Sequence, residues 1–151
     1  AYFDEQYGLE QVNQAVTENA TFEFKKGLIV MSMGKRKWII PDCELPHEGE
    51  GLLKGHESVI IVNDTNKKAE IKVKLYFTDK ECVDNIVWHV EPQRVRCFRM
   101  NNSKDMCGYV VPYDTQYAMK IESNVKIVVQ YGRLDNRQTN LAFYTTIGYH
   151  E

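Results

Sequence analysis

The chain has 151 residues, enough for one domain with a sizeable core, and its 43% hydrophobic and 26% charged residues are ordinary for a globular protein. A net charge of −2, from 19 Lys+Arg against 21 Asp+Glu, gives no global electrostatic case for nucleic acid. No apolar run approaches the ~18 residues of a membrane span, and the opening "AYFDEQYGLEQ" has neither the basic nor the apolar region of a signal peptide.

In residues 1 to about 20, Leu9, Val12 and Val16 fall at helical spacing among Glu, Gln and Asn, which predicts a short amphipathic helix or arm. "TFEFKKGLIVMSMG" reads as strand material broken at Gly27. Residues 1–34 are thus expected to be an N-terminal extension and 35–151 the main domain. From Lys35 nearly everything is β. "RKWII" is a short strand stopped by Pro41, and "ESVIIVN" and "AEIKVKLYF" are strands joined by the polar turn "DTNKK". The second has the cleanest alternation in the chain, with Ile71, Val73, Leu75 and Phe77 inward and Lys72, Lys74 and Tyr76 outward. "NIVWHV" and "VRCFRM" flank the turn "EPQR", and "TQYAMKIES", "NVKIVVQYGRL" and "NLAFYTTIGY" follow. About eight strands with turns between them predict an all-β, eight-stranded antiparallel β-sandwich.

One strand changes character along its length. Val125, Ile127, Val129 and Tyr131 alternate as a half-buried face, yet the same face continues into Arg133 and Asp135. The bland account is a structural ion pair where the row leaves the core. The sharper one is a ligand site, with the Arg fork donating and the Asp accepting hydroxyls. Trp38 is a candidate platform for a sugar ring, although core is the commoner fate of such a residue, and Trp88 belongs in the core. Glu57 and Asp135 could form a hydrolase's carboxylate pair only if they face one another. Cys43, Cys82, Cys97 and Cys107 lack zinc spacing and read as reduced thiols, and the four histidines show no metal motif, so no metal or cofactor is expected. Lys67, Lys68, Arg94, Arg96 and Arg99 are scattered, as solvated basic residues usually are.

"KWIIPDCELP", "GHESVIIVN", "FTDKECV", "VPYDTQYA" and "ESNVKIVVQYGRLDNRQ…TTIGY" together resemble the sensory rhodopsin transducer family, in the same order and over about Lys35 to Tyr149. The resemblance implies a jelly-roll-like sandwich assembling as a cyclic tetramer. It implies a cytoplasmic, non-enzymatic signalling module that binds a sugar or related small polar metabolite. Carried onto this sequence, the family's ligand residues fall on Trp38, Asp114 and Arg133, with His56 and Glu57 matching its "HE" and Asp135 its "RLD". The rival readings are an adaptor for a receptor or regulatory protein with no small ligand and, behind both, a carbohydrate-active enzyme using Glu57 and Asp135.

Overall fold

The computed structural model describes residues 22–25 and 28–151. The helix or arm expected before residue 20 lies outside the described residues. Chain contacts divide into a unit of residues 1–32 and a unit of residues 33–151. In the first, β1 (Phe22–Lys25) and β2 (Leu28–Met31) pair antiparallel, with Phe22 opposite Met31 and Lys25 opposite Leu28, as the break at Gly27 suggests.

The second unit contains β3 (Lys35–Glu44), β4 (His56–Asn63), β5 (Ala69–Phe77), β6 (Val83–Val90), β7 (Arg94–Arg99), β8 (Gln116–Asp135), β9 (Ala142–Ile147) and β10 (Tyr149–His150). All eight pair antiparallel, and no described residue is helical. The expected β-sandwich is what forms. One sheet runs β10-β3-β8-β5-β6 and the other β7-β4-β8-β9, with β8 a member of both.

Strand β8 explains the sandwich. Its first half pairs with β5, as far as Ser123, and with β3, which reaches Ile127, and its second half, from Val128, pairs with β4 and β9. On β3, Lys37 faces Glu122 while Lys35 faces Ile127, so two steps of β3 span five of β8. The surplus residues form a bulge at which the strand turns the corner between sheets. Asn124 holds that corner, accepting from the Glu70 amide at 2.8 Å and donating to the Lys68 carbonyl at 3.3 Å. Where the sequence analysis has two strands, "TQYAMKIES" and "NVKIVVQYGRL", the structure has this one. The sequence also predicts an end to β3 at Pro41, whereas the strand runs on to Glu44. The register shifts between Ile40 and Cys43, and a bulge is where a strand tolerates a residue without an N–H.

The alternating faces meet in a single core. Ile71, Val73 and Leu75 are buried as predicted, and so are Met119, Ile121, Ile127 and Val129 on the two halves of β8. Trp88 on β6 stacks on Phe98 on β7, ring centroids 4.2 Å apart, which joins the free ends of the two sheets. The Trp88 indole N–H donates to the Asp105 carbonyl at 2.6 Å, so its polar atom is satisfied in the core.

Candidate functional site

At one end of the sandwich the core gives way to charge. Glu57 follows the parity of Val59 and Ile61 on β4 and is therefore carried inward, where its side chain is wholly buried. Three groups donate to it: the Glu44 amide at 2.7 Å, the Tyr117 hydroxyl at 2.7 Å and the Tyr131 hydroxyl. Tyr117 lies on the first half of β8 and Tyr131 on the second, so one carboxylate ties both halves of the bent strand to β3. Burial pushes the Glu57 carboxyl above its usual range, while the Tyr131, Tyr117 and Glu44 hydrogen bonds and the charge of Arg133 pull it back. Burial first, and then the Glu57 charge, push both tyrosine hydroxyls upward, so they stay protonated donors. Burial likewise raises the Cys43 thiol and leaves it unreactive.

Arg133 sits opposite Glu57 across β4–β8 and opposite Tyr144 across β8–β9. Its guanidinium carbon lies 5.7 Å from the Tyr144 ring centre, and its Nη1 is 3.8 Å from Glu44 Oε2. That Nη1 is buried without a hydrogen-bond partner. The Arg133–Asp135 pair expected from the sequence is not the one that forms. Asp135 is forked by Arg137, whose Nε lies 3.0 Å from both carboxylate oxygens. Arg137 Nη1 also donates to Glu44 at 2.7 Å and to Asp114 at 2.8 Å. Asp114 in turn meets His47 Nδ1 at 2.7 Å. Its backbone sits at φ +53, a conformation that Asp tolerates better than most residues, and its N–H donates a hydrogen bond of 2.9 Å to the Leu45 carbonyl. The His47 hydrogen bond lowers the Asp114 carboxyl, and the Arg137 hydrogen bond lowers that of Asp135.

The six candidate residues therefore do not share one pocket. Asp114, Arg133 and Asp135 meet through Glu44 and Arg137, with Glu57 beneath them. Trp38 lies six residues from Glu44 along β3, on the order of 20 Å of strand. It is buried, donates its N–H to the Lys35 carbonyl at 3.0 Å and meets His150 edge-on at 4.9 Å. It borders a separate hollow of about 200 Å³ with Lys37, Lys120 and Tyr149.

His56 faces a third place, an open hollow of about 550 Å³ bounded by Leu52, Leu53, Arg99, Asn102, Ser103 and Leu134, among others. His56 Nδ1 lies 2.9 Å from the Lys54 carbonyl, which can only accept, so Nδ1 donates and the singly protonated tautomer presents Nε2 as an acceptor. Arg99 is half-buried there, and its guanidinium has no acceptor among the described residues. The loop over this hollow is anchored by Asn136, 6% exposed, which accepts from the Gly49 amide at 3.1 Å and donates to the Leu53 carbonyl. Glycines permit the approach: a Cβ at Gly49 would stand 2.1 Å from the Asn136 carbonyl oxygen, and one at Gly55 2.7 Å from Asn136 Oδ1. Sequence reading missed Arg99, Asn136 and Glu44 as members of this end. Arg137, which with Gln138 follows Asp135 as a further polar side chain in the sequence, is the residue that binds Asp135, Glu44 and Asp114 together. Among the described residues no three His, Cys, Asp or Glu side chains are grouped to hold a metal.

The family model of the Anabaena sensory rhodopsin transducer matches residues 33–150. The chain belongs to that family. Among solved structures, the Anabaena sensory rhodopsin transducer is 36% identical, with a TM-score of 0.60 over 72% of this chain and 95% of that one. Thermotoga maritima 1070 is 32% identical, with a TM-score of 0.70 over 78% of this chain and 96% of that one. No match is found among curated protein sequences. The transducer-family match begins at residue 33, where the contact-defined second unit also begins. No helix among the described residues is long and apolar enough to cross a membrane.

Proposed function

We propose that this transducer-family chain is a cytoplasmic signalling module, without enzymatic activity, that holds a sugar or sugar acid and passes its occupancy to a protein partner. One observation carries the ligand reading: the 550 Å³ hollow, with an unengaged Arg99 guanidinium, a His56 acceptor and leucine walls. A few oriented polar groups on an apolar surround are what a small polar ligand needs. Arg99 suits a carboxylate, His56 Nε2 a hydroxyl, and Leu53 and Leu134 the apolar side of a ring. Arg133 braces β3, β4 and β9, Asp114 holds the His47 loop, and Asp135 fixes Arg137. The enzyme reading has little to stand on, since the oxygens of Glu57 are already taken by three donors in the core.

A thermal-shift panel of hexoses, uronic acids and aldonic acids tests this, because a ligand that binds only the folded state raises its stability. Stabilisation by a sugar acid, lost in Arg99→Ala, is the expected result. No stabilisation by any member, or stabilisation that survives Arg99→Ala, sinks the assignment.

The adaptor reading has its own support. Leu141, Phe143 and Ile147 on and beside the edge strand β9 are more than half exposed, which suits an interface with another chain. A homo-oligomer, a tetramer as the resemblance implies, would cover that strip. Light scattering at micromolar concentration that finds a monomer removes this part.

A further inference from the structure

The outer face of the five-stranded sheet carries a concentration of positive charge that the net charge of the chain conceals. Register fixes two adjacent rows on it. Across β3, β8, β5 and β6 the first reads Lys37, Glu122, Lys72, Val87. Across β10, β3, β8 and β5 the second reads Tyr149, Ile39, Lys120, Lys74. Within these two rows four lysines stand against one glutamate, with Glu70 outward on β5 in the row beyond Lys72 and Glu151 beside Lys37 and Lys120 at the edge of the cluster.

The arrangement is costly to the fold by itself. Lys120 and Lys74 are direct cross-strand partners, and like charges directly opposite destabilise a strand pair. Glu122, which stands between Lys37 and Lys72 in register, makes its close ion pair with Lys120, at 2.9 Å, and Lys74 rests 5.4 Å from the Tyr76 ring centre. Lys37 and Lys72 have no carboxylate partner among the described residues. Between the lysines stand Ile39, Val87 and Tyr149, all more than a third exposed.

We propose that this face docks an acidic segment of a partner protein. The charge complementarity is with carboxylates placed at strand spacing, ~5 Å between neighbouring rows of the sheet. The interleaved Ile39, Val87 and Tyr149 add apolar contact that a protein segment can use. A nucleic-acid backbone would gain nothing from them and would meet Glu122 in the middle of the face. This inference stands apart from the ligand hollow, which is built from β4, β7, their loops and Leu134 at the far end of β8.

The test uses the full chain and three probes: a labelled peptide of alternating glutamate and tyrosine, a DNA duplex, and phosphatidylserine vesicles. Fluorescence anisotropy should show peptide binding that weakens with salt and falls at least ~10-fold in Lys72→Glu/Lys74→Glu, which are outward positions and should leave the far-ultraviolet spectrum unchanged. Lys104→Glu, off this face, should bind like wild type. Absence of peptide binding at low salt, or undiminished binding by the double variant, overturns the proposal. Tighter binding of duplex or vesicles than of peptide also overturns it and replaces the acidic protein with that partner.

Discussion

Tyr117→Phe removes one oxygen atom and leaves a buried carboxylate with a donor fewer. Tyr117 is 2% exposed and its ring would stay in place, so no cavity of consequence opens. The lost bond, 2.7 Å to Glu57 Oε2, is to a charged acceptor that water cannot reach. Bonds of that kind are worth about 1.5–3 kcal/mol, against about 0.5–1.5 kcal/mol for neutral pairs. At neutral pH the variant should therefore lose about 2 kcal/mol in urea unfolding with an unchanged denaturant slope. The pH dependence carries the sharper signature. The folded-state Glu57 carboxyl lies above its ordinary value of 4.5, so the folded state binds the proton more tightly than the unfolded chain. The contribution of this group is thus most favourable below 4.5 and is eroded as pH rises from there through the folded-state value. Removing Tyr117, a group that lowers the Glu57 value, should steepen that erosion, and the cost of the variant should shrink as pH falls. In a Glu57→Gln background the same change should cost less, because the Tyr117 hydroxyl then meets a neutral partner. A cost below about 0.5 kcal/mol at pH 7, or one independent of pH, would refute the view of Glu57 as the charged pin of the bent strand.

Three further outcomes follow from the same geometry. Arg133→Ala should cost about 3 kcal/mol in the unliganded protein, because the buried Glu57 loses the cation that offsets its charge while Glu44 keeps Arg137; a variant of normal stability would return Arg133 to the ligand site. Gly49→Ala should destabilise by more than about 2 kcal/mol by chemical denaturation, since its Cβ meets the Asn136 backbone at 2.1 Å and backbone cannot swing aside as a side chain can. Phe98→Ala should cost about 3–5 kcal/mol in thermal or urea unfolding by removing the ring stacked on Trp88 between the two sheets; a loss under 1 kcal/mol would mean the contact does not hold them together.

Much of the fold was legible because period-2 alternation survives wherever one sheet face is buried. Ile71 to Phe77 announced their faces without help from any relative. The bend in β8 was not legible, since it is a bulge made of Ser, Asn, Val and Lys, with no Gly or Pro to mark it. Parity did carry more than was taken from it. Glu57 shares a face with Val59 and Ile61, as Arg133 shares one with Val129 and Tyr131, and a row of core residues that includes a carboxylate predicts a buried one with donors around it. The partner of Asp135 could not be read that way. Asp135 ends the strand, and Arg137 comes back to it from the following turn, where alternation no longer applies. Arg99 was not legible for a similar reason: the hollow it lines is bounded by Leu52 and Leu53 from a loop more than forty residues earlier in the chain.

Titration of the 15N-labelled protein with the uronic acid glucuronate, followed residue by residue, tests the ligand hollow most directly. The account predicts amide shifts concentrated at Leu53, His56, Arg99 to Ser103 and Leu134, saturating with concentration and absent in Arg99→Ala. Shifts centred on Trp38 and Tyr149, or no saturable shift up to the solubility limit, would contradict it.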